Sequence, residues 1–172
     1  MNLPRDGYKY ELLNGELIVS PAGFDHGDVC TNVSTELKNY VRARRLGKVC
    51  DGQTGFRVRR GVKRKTLLSP DVSFVAQARV EAAASSLKKF FAGAPDLAVE
   101  VLSPKESLAS AERKIRLLFR NGARLGWIVD PAFRRVHVLT PDGPATVKHW
   151  NESLDGGAVV PGLRVRVRRF FE

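Results

Sequence analysis

Three residues in this chain carry groups that could together hydrolyse a phosphodiester. Asp71 follows Pro70 in "SPDVSFVA" (69–76), Glu100 sits inside "PDLAVEVLSP" (95–104), and Lys114 lies in the run 107–121. Both carboxylates occur in stretches that otherwise read as core. A buried carboxylate without a partner is costly, so each needs an arginine, a backbone N–H or a metal ion. Two convergent carboxylates would draw in a cation, and their hard oxygens suit Mg²⁺ or Mn²⁺. Such an ion activates water and neutralises phosphate charge. A nearby lysine could orient the water or stabilise the charge that develops. The structural alternative is plain: Asp71 caps a turn, Glu100 makes a salt bridge, and Lys114 snorkels.

The elements that must hold these groups can be read from periodicity. "DVSFV" (71–75) and "DLAVEVL" (96–102) read as buried strands. In the second, Asp96, Ala98, Glu100 and Leu102 share one face, while Leu97, Val99 and Val101 share the other. If the two strands are neighbours, Asp71 and Glu100 converge at one end of the sheet. In the helical run 107–121, Leu108, Ala111, Ile115, Leu118 and Phe119 form an apolar arc, and Arg113, Arg116 and Arg120 gather opposite. Lys114 falls on the flank beside Ala111 and Leu118, and Gly122 stops the helix.

Elsewhere, "YKYELLNGELIV" (8–19) brackets Asn14-Gly15, the signature of a hairpin in which Leu13 faces Glu16 and Glu11 faces Ile18. Residues 25–45 read as a helix capped by Asp25 and closed by Gly47. A strand region over 48–59, broken by Gly52 and Gly55, precedes the basic run 57–65, read as a loop or hairpin. Residues 78–91 read as a helix with Val80, Ala84, Leu87 and Phe91 on one side. "LGWIVD" (125–130) and "RRVHVLT" (134–140) read as strands joined at Pro131, with Trp127 in the core and Asp130 bound to backbone at the turn. The order predicts an α/β or α+β chain with a central mixed sheet flanked by helices, in a single domain over 1–172.

Composition narrows the partner. The chain has 29 Lys+Arg against 18 Asp+Glu, a net charge of +11, which favours a polyanion, most simply nucleic acid. The two cysteines, Cys30 and Cys50, belong to no CxxC or Cys/His cluster, which argues against a zinc site and a disulfide framework. The start lacks the apolar core of a signal peptide, and no apolar run reaches the length of a membrane span, so a cytoplasmic protein with no membrane partner is expected.

Aspartate, then glutamate on the next strand, then lysine is the active-site order of the PD-(D/E)XK nuclease superfamily. More specifically, the chain resembles the Uma family of restriction-endonuclease-like proteins. The likeness is carried by "YELLNGELIVSP", "SPDVSFV", "APDLAVEVLSP", Lys114, "NGARLGWIVDP" and "VVPGLRVRV", in family order and from residue 8 to 168. It implies a restriction-endonuclease-like core with an N-terminal β-hairpin. It also implies Mg²⁺- or Mn²⁺-dependent cleavage of DNA, with Asp71 and Glu100 as metal ligands. The superfamily's usual lysine, two residues after the glutamate, would fall on Leu102 here; the family pattern looks instead to Lys114. A tyrosine often found four residues after that lysine is Leu118. Glu11 matches an acidic family position and is a further catalytic candidate, with Glu16 on the same hairpin face. His26 matches a family position at the start of the first helix, where a histidine acting alone is more often a structural cap. Dimers are common in this superfamily, so a homodimer is the expectation.

The basic stretch "RVRRGVKRK" supplies Arg57, Arg59, Arg60, Lys63, Arg64 and Lys65 as phosphate contacts. Arg164, Arg166 and Arg168 would project from one face of a closing strand. No helix-turn-helix or zinc finger is present to read sequence. Two other readings stand beside the nuclease. One is a non-catalytic nucleic-acid-binding protein on the same fold. The other is a glycosidase using Glu100 as its acid, against which the positive charge and the lack of sugar-stacking aromatics argue.

Overall fold

The two apolar runs around Asn14-Gly15 pair as antiparallel strands, β1 (Tyr10–Leu13) and β2 (Glu16–Val19), with Leu13 opposite Glu16 and Glu11 opposite Ile18. This is the register that a two-residue connection dictates. The structure, a computed structural model, describes residues 10–13, 16–19, 23–60, 64–83 and 90–172, and the side chains of 23–59, 66–83 and 90–172.

Helix α1 (Phe24–Ala43) buries Val29, Val33, Leu37 and Val41, the apolar residues that recur every four positions. Its N-cap is Gly23 rather than Asp25. Asp25 lies instead in the first turn, where a carboxylate complements the helix dipole. At the other end the chain turns at Arg45, in the left-handed region at φ 54°, before Gly47 is reached. The strands β3 (Gly47–Asp51), β4 (Phe56–Arg60), β5 (Arg64–Leu68) and β6 (Val72–Ala76) follow. The basic run 57–65 therefore lies on the arms of the β4–β5 hairpin rather than on a loop; residues 61–63 are outside the described residues.

The helix expected over 78–91 is corrected. Helix α2 spans Gln77–Ala82, residues 84–89, with Ala84 and Leu87, lie outside the described residues, and β7 (Phe91–Ala92) is a strand. Phe91 pairs in parallel with Phe56, its amide donates to Gly55 O at 3.0 Å, and the two rings pack 5.7 Å apart. An apolar residue at a helical spacing thus serves a sheet edge, because its partners lie far away in sequence. Next come β8 (Leu97–Val101), helix α3 (Leu108–Phe119), β9 (Leu125–Asp130) and β10 (Arg135–Leu139). Ser107 caps α3 by accepting from Ser110 N at 3.2 Å, and Gly122, at φ 103°, takes the chain out of the helix. Strands β11 (Thr146–His149), β12 (Ser153–Asp155) and β13 (Arg164–Arg166) and a closing 3₁₀ turn (Val167–Phe170) complete the chain. Arg168 belongs to that turn, so only Arg164 and Arg166 project from a strand.

The central mixed sheet has the order β11-β10-β9-β8-β6-β3, with β8 and β9 parallel and joined through α3. A second sheet runs β2-β1-β5-β4-β7. Alternation along the central strands makes two cores. Val72, Phe74, Leu97, Val99, Val101, Trp127 and Val129 pack with α1 and the closing 3₁₀ turn. Ala98 and Ile128 pack with Ala111, Ile115 and Leu118 of α3 and with Val58 and Leu68 of the second sheet. The α3 layer comes unusually close over Gly126: a Cβ there would meet Ile115 Cγ2 at 2.4 Å. This mixed α+β layering is the expected one.

Candidate active site

Strands β6 and β8 are neighbours and antiparallel, with Val72 opposite Val99 and Phe74 opposite Leu97. One step further along that register sets Asp71 opposite Glu100. The ladder ends there, and Asp71 closes it with its side chain: Oδ2 accepts from Val101 N at 2.8 Å. Pro70 before it is buried and has no N–H to contribute. The backbones of Asp71 and Glu100 therefore stand opposite each other at the end of neighbouring strands.

Glu100 points with Ala98 toward α3, and only 2% of its side chain is exposed. From α3, Lys114 sends its Nζ to Glu100 Oε2 at 3.1 Å. It also stands 3.6 Å from Glu106, in the connection that precedes the helix. Lys114 lies one residue before Ile115, the side chain seated over Gly126, so close helix–sheet packing sets how far its ammonium reaches. Leu102, at the position of the superfamily's usual lysine, is partly buried against the α3 core.

His26, in the first turn of α1, reaches the same aspartate: Nε2 lies 3.3 Å from Asp71 Oδ2. Its other nitrogen, Nδ1, lies 3.5 Å from Cys30 Sγ. The expectation that neither cysteine joins a histidine is corrected here. His26, Cys30 and Asp71 each place one donor atom within 4.8 Å of the other two. The signal was present in the sequence, since a histidine and a cysteine four residues apart on a helix share one face. What the sequence could not show is that Asp71 arrives on that face. Nothing in the local sequence pattern of Glu106 points at Lys114.

Other titratable groups have structural work. Asp96 is buried and accepts from Ala76 N at 2.9 Å, Arg79 Nη1 at 3.0 Å and Arg124 Nη2 at 3.0 Å, tying α2 and the α3–β9 connection to the start of β8. Asp130 was expected to bind turn backbone; it instead pairs with Arg135 Nε at 3.0 Å across the β9–β10 turn. His137 is buried on β10, and burial, then Arg135, hold its imidazole below the ordinary histidine range. Burial pushes the Cys50 thiol up.

The backbone of Glu11 lies beside β5, through the Leu12–Leu67 pair, a few residues before Asp71. The side chains of Glu11 and Glu16 are outside the described residues, as are Lys63 and the side chains of Arg60, Arg64 and Lys65. Arg57 and Arg59 are exposed on β4, alternating with buried Phe56 and Val58. Asn121 clamps Arg59 by its backbone, accepting from Arg59 N at 2.7 Å and donating to Arg59 O at 3.0 Å. The hairpin is thereby fixed to the end of α3. Among the described residues, no helix is long and apolar enough to cross a membrane.

A family model described as "Putative restriction endonuclease", Uma2, matches residues 1–168. The chain belongs to the Uma2 family. Among solved structures, it is similar to a protein described as a putative nuclease belonging to DUF820, from Anabaena variabilis ATCC 29413. The two share 20% identity and superpose with a TM-score of 0.83, over 98% of this chain and 93% of that one. At that identity the likeness establishes the shared fold. No curated protein matches this chain. Membership of Uma2 places the chain in a nuclease family, and a nuclease acts on nucleic acid.

Proposed function

We propose that this Uma2 protein is a divalent-metal-dependent DNA endonuclease. The observation that carries the reading is the buried Glu100–Lys114 pair at 3.1 Å, set beside Asp71 at the end of the β6–β8 ladder. The donor set fits the ion that the family implies. Two carboxylates at one strand end offer hard oxygens, and a third acidic residue, Glu11, lies on a strand of the adjoining sheet. Asp71 and Glu100 would hold Mg²⁺ or Mn²⁺. That ion would supply an activated water and charge neutralisation at the phosphate.

The chain's own groups do the rest. Val101 N–H and His26 fix the orientation of the Asp71 carboxylate. Glu100 and Glu106 hold the Lys114 ammonium at the site, where its N–H groups can donate to the attacking water or to a phosphate oxygen. Exposed Arg57 and Arg59, with the rest of the basic hairpin, would take the DNA backbone, so binding falls steeply with salt. A homodimer would let each copy cut one strand; light scattering on the purified chain measures that directly.

The test is nicking of supercoiled plasmid in Mg²⁺. Cleavage should vanish in EDTA and in Asp71→Ala and Glu100→Ala, with salt-sensitive DNA binding kept in both. Cleavage that persists in EDTA refutes the metal mechanism. DNA binding without cleavage in any divalent metal would leave a non-catalytic nucleic-acid binder on a nuclease fold.

A further inference from the structure

We infer that His26, Cys30 and Asp71 form a second kind of metal site, a thiolate-containing one for a borderline cation of the Zn²⁺ or Co²⁺ class. Its donor set is imidazole nitrogen, thiol sulfur and carboxylate oxygen. Mg²⁺ takes oxygen ligands, whereas zinc accepts all three of these donors. The two helix residues sit one turn apart on α1, in a regular part of the backbone, and Asp71 is fixed independently by Val101 N–H. The donors are therefore held by two separate supports, helix α1 and the end of the β6–β8 ladder, rather than by one flexible loop.

The distances suit a small ion. In a tetrahedral site with bonds of about 2.0–2.3 Å, ligand atoms stand roughly 3.3–3.8 Å apart. His26 Nε2 and Asp71 Oδ2 are already 3.3 Å apart, and Cys30 Sγ is 3.5 Å from the ring's other nitrogen. One donor from each residue lies within 4.8 Å of the others, a set that closes further around a bound ion. Three protein ligands leave a fourth position for water. On binding, the Cys30 thiol gives up its proton to solvent and the sulfur bonds to the cation, so uptake strengthens as pH rises. The site shares Asp71 with the Mg²⁺ site proposed above. A borderline cation held by Cys30 would commit Asp71 and block Mg²⁺ there; that consequence rests on the nuclease reading, while the site itself does not.

The full chain, purified free of metal, is titrated with Co²⁺ and followed by absorption. A thiolate-to-cobalt charge-transfer band is expected, saturating at a single Co²⁺ per chain and bleached by Zn²⁺. Cys30→Ser should lose the band; Cys50→Ser and Glu100→Gln should keep it. No band in the unaltered chain, or a band that survives Cys30→Ser, overturns the site. A second measurement needs no variant. Alkylation of each cysteine is followed by mass spectrometry, and Zn²⁺ should slow the reaction of Cys30 by roughly tenfold or more while Mg²⁺ does not. Equal rates at Cys30 with and without Zn²⁺ also overturn it. A chain that shows the cobalt band yet never cuts DNA loses the nuclease reading and keeps this site.

Discussion

Replacing Lys114 with methionine keeps most of the side chain's length and removes its charge from beside Glu100. The pair is 3.1 Å apart, with the glutamate 2% and the lysine 13% exposed. At an effective dielectric near 20 the direct attraction is about 5 kcal/mol, and breaking a buried pair costs about 3–5 kcal/mol. Lys114→Met should therefore lose about 3–5 kcal/mol relative to the unaltered chain. Urea unfolding followed by tryptophan fluorescence reads it, since buried Trp127 packs 6.2 Å from Phe170. Glu100→Gln should cost less, because Lys114 retains Glu106 at 3.6 Å. The double variant should be more stable than the two single losses predict. A deficit under about 1 kcal/mol would refute the claim that the ammonium stabilises the buried carboxylate.

Three further outcomes are expected. Asp96→Ala strips acceptors from Ala76 N, Arg79 and Arg124; it should cost about 3 kcal/mol, a fall of roughly 6–12 °C in a thermal melt, with or without divalent metal. His137 is held below its ordinary pKa by burial, so the unfolded chain binds its proton first and stability is lost as pH drops below about 6.5. In His137→Phe the loss between pH 7.5 and pH 5 should be smaller, by up to about 1.4 kcal/mol per pH unit; matched slopes in urea titrations would sink this. Gly126→Ala presses a methyl against Ile115 Cγ2 at 2.4 Å, and an overpacked core of this kind should cost about 1–3 kcal/mol by equilibrium unfolding.

Local pattern was enough to find the pieces of the site, and long-range topology was needed to join them. Alternation placed Glu100 on one face of its strand and helical spacing put Lys114 at the edge of a buried stripe; the 3.1 Å pair follows once β8 and α3 are packed. The hairpin register was legible because Asn-Gly admits few turn geometries. Phe91 was not legible as a strand residue because a short apolar run fits a helix or an edge strand equally well, and the deciding partner, Phe56, is remote in sequence. Asp130 went to Arg135 rather than to turn backbone because an arginine on the paired strand competes for the same carboxylate. The His26–Cys30–Asp71 group combines a local spacing, visible in the sequence, with a strand end that only the fold supplies.

The hydrogen bond from Val101 N to Asp71 gives this aspartate two independent reasons to exist. It is a candidate ligand, and it is also the clasp that closes the β6–β8 ladder. Selection acting on folding alone would preserve it after any activity had been lost. Glu100 and Lys114 differ: a buried ion pair can be exchanged for apolar residues with little or no loss of stability. A relative that had abandoned catalysis would therefore keep the aspartate and replace the other two together. Among divergent copies, the joint fate of Glu100 and Lys114 would be the better marker of a working enzyme, and the aspartate the poorer one.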